Sequence, residues 1–376
     1  MEKINVLIPD GESEFALFAM HAFIGMPHVR VYVLSNQRWA ATRFSRHCQR
    51  FIYRPLGTDN QERLETVKET AQTYNIDVLL PTGLEWIEFA GKMRSELEQI
   101  LAVAPVPTPE SFKIVNNKWT LAQFMQEHGV SGPPTILATL DETYEQRTRE
   151  LQFPVLAKPV TAWGGDGIQY FETLAELQMA TEKVGYERFR DRYIIQSLLQ
   201  GYVIGLNILC REGRLLAYTM QRGFIPNTRK WAAAAAIRFI HQDGLLKVAQ
   251  KLLTALHWSG FSNLDMFFDT SDNQVKILEV NSRFWGSLRG SYGAGVNFPY
   301  LACLAALNQS FPMPEYQLVR YLHPKTAIKQ GIIQLFDFKH RDHFAYRETG
   351  LKYLLNDPLA EAIRALQQEI AGDHFQ

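Results

Sequence analysis

The segment Lys276–Trp285, which reads KILEVNSRFW, carries a carboxylate, a carboxamide and a guanidinium at alternate positions. If it forms a strand, Glu279, Asn281 and Arg283 point to one face, because side chains at i, i+2 and i+4 share a face. The same alternation assigns the remaining side chains: Val275 and Ile277 to this face, and Lys276, Leu278 and Val280 to the other. A core strand has no structural need for a polar row, so the segment is a candidate functional site.

A second alternating segment, Phe261–Phe268, lies just upstream, and the polar connector between the two predicts a hairpin. A register centred on Asp272 sets Asp265 directly opposite Glu279. It also predicts two apolar pairs, Leu264 with Val280 and Met266 with Leu278. Opposed side chains have Cβ atoms about 4.5–5.5 Å apart, and like charges at that distance are destabilising. The register therefore predicts a carboxylate pair that needs a compensating charge.

A divalent cation would convert that repulsion into binding. Asp265, Glu279 and the carbonyl oxygen of Asn281 form an oxygen-only ligand set, which suits Mg²⁺ or Mn²⁺ better than Zn²⁺. The alternative is an exposed acidic hairpin face in which Arg283 serves as a salt-bridge partner. The segment alone leaves both interpretations open.

Two lysines upstream could bind an anionic ligand. Lys118 lies in the first turn of a helix that Asn116 or Asn117 caps, where a cation is slightly unfavourable with the helix dipole. Lys158 ends the predicted strand Phe153–Lys158. Each lysine could equally be a solvated surface charge.

A glycine-rich loop, TAWGGDG at 161–167, follows Lys158. Gly164, Gly165 and Gly167 allow the backbone to approach a ligand closely and to direct N–H groups at phosphate oxygens. The alternative is an ordinary glycine-rich hairpin turn. Farther along, the segment Arg222–Arg238 is cationic and could face an anionic ligand, although solvated charge is the simpler interpretation.

Composition excludes several classes of protein. The chain has 376 residues, 39 basic and 39 acidic, so net charge does not favour nucleic-acid binding. The three cysteines lack CxxC spacing, which argues against a zinc site or disulfide framework. We find no signal-peptide pattern and no apolar run of about 18 residues. We therefore expect a cytoplasmic protein that does not bind a membrane.

The chain order predicts mixed architecture. Alternating strands and helices over roughly residues 1–105 predict a doubly wound α/β unit, and its first turn lacks the GxGxxG of dinucleotide binding. The proline-rich segment Ala104–Pro109 predicts a domain boundary. A final helix begins at Asp357-Pro358. Its apolar stripe is expected to pack against the body of the protein and consists of Leu359, Ile363, Leu366 and Ile370.

In their order along the chain, these motifs resemble the ATP-grasp superfamily. The series is Asn117-Lys118, FPVLAKP, TAWGGDG, IIQSLLQG, GFSNLD and EVNSRFWGS, over about residues 110–295. The likeness is greatest to carbamoyl-phosphate-synthase-like carboxylate–amine ligases. It implies an α/β and α+β chain with four parts: a Rossmann-like domain at 1–108, a small lobe with the glycine loop at 109–192, a large lobe with the metal site at 193–312, and a short helical extension at 313–376.

The resemblance also implies roles for individual residues. Lys118 and Lys158 would contact the phosphates of ATP, and the three loop glycines would cover them. The segment Gln196, Ser197 and Leu198 would be the hinge that touches adenine. The remaining assignments are Mg²⁺ or Mn²⁺ on Asp265, Glu279 and Asn281, and stabilisation of the transferring phosphoryl group by Arg283, with Arg222 and Arg289 as further cations.

Two positions depart from the family pattern. The hinge usually reads Gln-Glu, but here it is Gln196-Ser197. Val203 stands where an acidic residue normally binds the ribose hydroxyls. The implied activity is amide formation from a small-molecule carboxylate and an amine, with amino acids as the expected substrates. Two alternative functions stay open: phosphorylation of bicarbonate or carbamate, and nucleotide binding without catalysis. A homodimer also stays possible.

Overall fold

The computed structural model of the protein describes the whole chain except residues 1–2, 140, 142–143, 163, 185–188, 229–230, 337–343 and 374–376. Its strands form three sheets, with five, six and four strands. Helices cover or connect all three sheets, so the chain is mixed α/β as expected. None of the described helices is long and apolar enough to cross a membrane.

The first sheet is parallel and contains β1 (Ile4–Ile8), β2 (Val29–Ser35), β3 (Cys48–Tyr53), β4 (Val78–Leu79) and β5 (Ala102–Val103). Its strand order is β3-β2-β1-β4-β5. The associated helices are α1 (Glu14–His21), α2 (Asn60–Tyr74), α3 (Leu84–Lys92) and α4 (Arg94–Leu97). The apolar runs of β1 and β2 are buried because helices cover a parallel sheet on both faces. The predicted α/β unit is therefore present.

The four-stranded sheet is antiparallel and consists of β6 (Thr135–Leu137), β7 (Val155–Pro159), β8 (Gln169–Phe171) and β9 (Tyr193–Ser197). Its order is β6-β9-β7-β8. The helices before and within it are α5 (Pro109–Val115), α6 (Lys118–Glu127), α7 (Tyr144–Arg149) and α8 (Leu174–Val184). Asn117 caps α6, since its side-chain oxygen accepts from the N–H of Trp119 at 2.9 Å. This sheet has its own small apolar core.

The six-stranded sheet is the largest and is formed by β10 (Gly201–Arg211), β11 (Arg214–Ile225), β12 (Ala236–Phe239), β13 (Gly260–Asp269), β14 (Gln274–Asn281) and β15 (Arg320–Leu322). Its order is β14-β13-β10-β11-β12-β15. Helices α9 (Leu245–Ala255), α10 (Leu288–Gly293) and α11 (Phe298–Ala306) belong to the same part of the chain. One continuous apolar core joins this sheet to the N-terminal sheet.

The chain ends in α12 (Pro324–Phe336), α13 (Leu351–Asn356) and α14 (Pro358–Asp373). The packing predicted for the apolar stripe of α14 is wrong except at Ile363, which packs against the core. Leu359 and Leu366 are each 57% exposed, whereas Ala360 and Glu361 are buried. Glu361 pairs with the buried Arg289 and accepts from Arg364 at 2.9 Å, so an ionic face of the helix docks and most of the apolar stripe faces outward. Helical periodicity identifies a stripe but cannot show which face finds a partner.

Candidate active site

The hairpin of β13 and β14 has the predicted carboxylate pair. Asp265 lies directly opposite Glu279, and Leu264 lies opposite Val280, as the sequence register predicts. The pairing then shifts, so that Met266 lies opposite Ile277 instead of Leu278. Leu278 is the extra residue of a β-bulge, which changes the alternation of the strand at this point.

The bulge corrects the predicted faces of β14. Val275 and Ile277 are buried in the core together with Val280, on the face away from Glu279. With strict alternation, Ile277 and Glu279 would have shared a face. The inserted residue lets Ile277 stay in the core while Glu279 turns outward to face Asp265. Bulges are frequent beside active sites because they re-aim a side chain in this way.

Two rows of residues cross the same face of four neighbouring strands. The carboxylate row consists of Gln221 on β11, Gly205 on β10, Asp265 on β13 and Glu279 on β14. The amide row lies two residues away from the carboxylate row on every strand, on the same side of it. It consists of Thr219, Asn207, Asn263 and Asn281. Directly paired residues share a face of a sheet, so eight positions form one polar surface.

Asp265 is held in an unfavourable environment for a negative charge. Burial, reinforced by the charge of Glu279, raises the pKa of Asp265 to about 7. Arg283, a hydrogen bond from Asn281 and Lys158 act in the opposite direction. The amide Nδ2 of Asn281 donates to Asp265 Oδ2 at 3.3 Å, which leaves its carbonyl oxygen available as an acceptor. The protein's own positive charges and hydrogen bonds therefore do not fully compensate the negative charge of the carboxylate pair.

This donor set fits a small divalent cation. Asp265, Glu279 and Asn281 supply only oxygen atoms, and an added positive charge would relieve the repulsion that raises the pKa of Asp265. Within the described part of the chain, no cluster of three or more histidine, cysteine or acidic side chains is placed to hold a metal. The candidate set has two carboxylates and one amide.

The structure brings both predicted lysines to the carboxylates. Lys118 Nζ lies 3.5 Å from Glu279 Oε2 and also donates to the carbonyl of Ala162, within the glycine loop. Lys158 Nζ donates to Gln196 Oε1 at 2.6 Å. Burial lowers the pKa of Lys158 to about 8, an effect that the nearby carboxylates oppose. The two amines thus lie between the small sheet and the carboxylate row.

The glycine loop extends from the small sheet to the large sheet, and we call the space between these two sheets the cleft. Gly164, Gly165 and Gly167 have φ values of 64°, 83° and 71°. A Cβ on Gly165 would lie 2.8 Å from the carbonyl oxygen of Trp231, which belongs to the β11–β12 connection of the large sheet. Only glycine therefore allows this approach between the two sheets.

The predicted hinge is tied to both of its neighbours. The N–H of Ser197 donates to the carbonyl of Pro134 at 3.1 Å, and that of Leu198 donates to Pro154 at 2.9 Å. The side chain of Gln196 bridges Lys158 and the hydroxyl of Thr135, to which Gln196 Nε2 donates at 2.9 Å. Gln196 therefore connects the hinge to Lys158, a candidate for binding phosphate.

Arg283 connects the site to the N-terminal sheet. Its guanidinium lies 4.8 Å from the ring centroid of Phe15, at the beginning of α1. Burial lowers the pKa of Arg283, and the carboxylates of Glu14, Glu279 and Asp265 oppose that effect. The carboxyl end of the N-terminal sheet therefore borders the candidate site.

Two other predicted cations lie elsewhere. Arg222 follows Gln221 on β11, so its side chain points to the opposite face of the sheet, where it lies 3.6 Å from the ring centroid of Tyr202. Arg289 is 2% exposed and forms an ion pair with Glu361 of α14. The structure does not bring either guanidinium to the carboxylate row. Arg229 and Lys230, which belong to the cationic segment Arg222–Arg238, lie outside the described residues.

Val203, which stands where the family pattern has an acidic residue, lies in an apolar patch. Val203 lies on the same face as Gly205 and is 49% exposed. Its cross-strand partner is Phe267. The polar surface therefore ends one step beyond the carboxylate row, in the direction of the hinge.

Sequence reasoning missed the polar residues of β10 and β11. Asn207 donates to Thr219 Oγ1 at 3.0 Å and to Gln221 Oε1 at 3.1 Å, and Asn263 Nδ2 donates to Asn207 Oδ1 at 2.9 Å. A polar asparagine within the apolar run VIGLNILC was the available signal, since a buried amide requires partners.

Comparison with known proteins places this site in a family. Residues 115–287 match the family model described as ATP-grasp domain. This range contains both lysines, the glycine loop, the hinge and the carboxylate pair.

Curated relatives are distant. The chain is 23% identical to the carbamoyl-phosphate synthase of Methanobrevibacter smithii, over 58% of this chain and 60% of that protein. It is 18% identical to the D-aspartate ligase of Enterococcus faecium, over 55% of this chain and 53% of that protein. The chain thus spans only half to three fifths of the length of these relatives.

A solved structure extends the likeness to most of the fold. N5-carboxyaminoimidazole synthetase from Staphylococcus aureus, complexed with ADP, superposes with a TM-score of 0.64. The identity is 15%, and the match covers 84% of this chain and 80% of that one. Residues 115–287 of this chain match the ATP-grasp domain, which confirms the superfamily resemblance that the motifs indicated.

Proposed function

We propose that the protein is an ATP-dependent carboxylate–amine ligase that forms an amide or peptide bond through an acyl phosphate. The observation that carries this proposal is the Asp265–Glu279 pair, which faces Lys118 and Lys158 across the cleft of an ATP-grasp domain. Two carboxylates whose charges are not fully compensated, opposite two partly buried amines, suit a ligand that brings both a polyphosphate and its cation.

In this proposal, Lys118, Lys158 and the glycine loop bind the phosphates of ATP, and the hinge Gln196–Leu198 contacts adenine. Asp265, Glu279 and Asn281 hold Mg²⁺ or Mn²⁺. When bound, the cation neutralises and orients the triphosphate. The amines now bonded to Ala162 and Gln196 would exchange those partners for phosphate oxygens.

The chemistry consists of two displacements. A substrate carboxylate attacks the γ-phosphorus, so that a new O–P bond forms as the bond to ADP breaks. An amine then attacks the carbonyl carbon, phosphate leaves and the amine loses a proton. Arg283 stabilises the charge on the acyl phosphate. Positioning and electrostatics supply most of the catalysis, because the protein forms no covalent bond.

The proposed substrates are a small-molecule carboxylate and an amine, with amino acids as the first choice. The D-aspartate ligase relative supports this choice by its name. The contact of Arg283 with Phe15 supports a binding place between the carboxylate row and the N-terminal sheet. Both substrates would then approach the γ-phosphate from that side.

A second candidate function is phosphorylation of bicarbonate or carbamate. The carbamoyl-phosphate synthase relative favours it, and the first displacement would be the same with bicarbonate as the attacking carboxylate. A nucleotide-binding protein without turnover is the third, and the replacement of the ribose acid by Val203 is what favours it.

One assay separates the three. The full chain is incubated with Mg-ATP, an amino-acid panel and hydroxylamine, and with bicarbonate in a parallel series. A ligase gives ADP together with a hydroxamate from a specific carboxylate, because hydroxylamine traps the acyl phosphate. ADP release that depends only on bicarbonate favours the second function. ATP binding without ADP release under any condition favours the third, and absence of ATP binding contradicts the proposal.

A further inference from the structure

Gln221 is a polar residue of the carboxylate row to which the proposed mechanism gives no role. It lies on the same face as Asp265 and Glu279, separated from Asp265 only by Gly205 on the intervening strand. Adjacent strands are about 4.8 Å apart, so the Cα atoms of Gln221 and Asp265 are two strand spacings, about 10 Å, from each other. The glutamine side chain at 221 extends over Gly205 on the intervening strand.

The carboxamide of Gln221 has a fixed orientation. Its Oε1 accepts from Asn207 Nδ2 at 3.1 Å and from the hydroxyl of Ser287 at 2.8 Å. Asn207 is itself fixed, because its own oxygen accepts from Asn263. With the oxygen held from two sides, the amino group of Gln221 must point the other way, away from the amide row.

The amino group points over Gly205. Gln221 Nε2 would lie 3.2 Å from a Cβ placed on Gly205, and the Cγ of Gln221 would lie 3.1 Å from it. A side chain at 205 would crowd the carboxamide, so glycine keeps this part of the row open. Among the described residues, Gln221 Nε2 has no hydrogen-bond acceptor, although the oxygen of the same amide has two donors.

The amino group of Gln221 is oriented toward the carboxylate row and is available to donate to a ligand bound there. We infer that Gln221 Nε2 binds an anionic oxygen of the group transferred over Gly205. This inference rests on the proposed ligase function and adds a substrate-contacting residue on β11. The oxygen belongs either to the γ-phosphoryl group or to the carboxylate that receives it. The two share the same chemistry, and the experiment below distinguishes them.

The informative variant is Gln221→Glu. Glutamate keeps the shape and the oxygen that Asn207 and Ser287 require, but replaces the donor by a second oxygen. Calorimetry measures the binding of Mg-ADP, and of Mg-ADP with beryllium fluoride, which imitates the γ-phosphoryl group. We expect the variant to bind Mg-ADP with an affinity within about threefold of wild type. With the carboxylate substrate identified in the hydroxamate assay, the rate of ADP release should fall by about 10- to 100-fold, which corresponds to the loss of one hydrogen bond to a charged group.

The arms of the experiment identify the oxygen. Loss of the affinity gained from beryllium fluoride assigns the phosphoryl group. An unchanged gain, together with a raised KM for the carboxylate, assigns the carboxylate. Gln221→Met, which removes both amide functions without adding charge, should show the same pattern more weakly.

Ser291→Ala is the matched control. The Ser291 hydroxyl contacts Asn207 and Thr219 at 3.4 and 3.3 Å, at the end of the network away from Gln221 Nε2. If Gln221→Glu and Ser291→Ala lower the unfolding temperature and turnover equally, Gln221 is only structural and the inference is wrong. Turnover within threefold of wild type in Gln221→Met also overturns it. Failure of the wild type to bind Mg-ADP would instead contradict the proposed function.

Discussion

The two ends of the cleft differ in how strongly their side chains constrain a ligand. At the proposed phosphate end, two lysines, two carboxylates and an arginine lie close together in space. Burial there moves the pKa of both Asp265 and Lys158 closer to 7. At the sugar end, Val203 and Phe267 present apolar surface. Under the proposed function, nucleotide recognition would depend on charge at one end and would have little polar specificity at the other.

The largest effect should come from Glu279, which faces both Asp265 and Lys118. We expect Glu279→Gln to reduce Mg²⁺-dependent ADP release by about 10²–10³-fold or more, because the change removes a ligand charge from a preorganised site. Asp272→Asn is the control and should retain turnover, because it also replaces a carboxylate by an amide but lies in the turn of the hairpin. Unchanged activity in Glu279→Gln would show that the metal assignment is wrong.

Lys158 should give the next largest effect. Lys158→Met should weaken Mg-ATP binding by about 10- to 100-fold, because a charge-assisted hydrogen bond to phosphate is lost. In the wild type, affinity should also fall as the pH rises through about 8, where the amine loses its proton. Calorimetry across that range measures both effects. A flat pH profile would contradict the role of Lys158, and Lys68→Met, on an exposed helix, controls for charge.

Asp265 should affect stability in the absence of metal. Its pKa is raised to about 7 from an ordinary value of 3.8, so the folded state binds a proton that the unfolded state has released between these values. The stability of the metal-free protein should therefore fall as pH rises from about 4 to about 7. Thermal unfolding in EDTA should show this slope, and Asp265→Asn should reduce it while abolishing turnover. An equal slope in the variant would assign it to other groups.

The sugar end should show the smallest effect. A site that hydrogen-bonds a hydroxyl rejects an analogue without it, whereas an apolar surface does not. We therefore expect the rate of dADP release from dATP to be within about threefold of the rate of ADP release from ATP. Val203→Glu should restore a preference for ATP, measured as the ratio of the two kcat/KM values. A strong preference for ATP in the wild type would show that another residue binds the ribose.

The sequence predicted much of the large sheet because its signals are local. Alternation predicted the hairpin, and its polar turn predicted the pairing of Asp265 with Glu279. The ordered motifs resembled the ATP-grasp superfamily, which the family match confirms. The domain boundaries and the roles of the site residues stay predictions. Those roles came from a resemblance, and the geometry supports them by bringing Lys118, Lys158 and Glu279 together.

What alternation could not predict was the bulge at Leu278. A strict period of two places Ile277 beside Glu279, but the core and the site need them on opposite faces, and one inserted residue satisfies both. The position of Gln221 was equally hidden, because pairing of distant strands and not spacing along the chain places it in the carboxylate row.

The sequence by itself determined the types of chemical groups and their order: oxygen ligands, amines, a glycine loop and an apolar substitute for the ribose acid. Only the tertiary structure decided which of the charged groups meet. Arg283 reaches the site, whereas Arg222 lies on the other face of its strand and Arg289 pairs with Glu361 of the last helix. Each guanidinium is equally cationic in the sequence, and its role depends on which partner the fold places within reach.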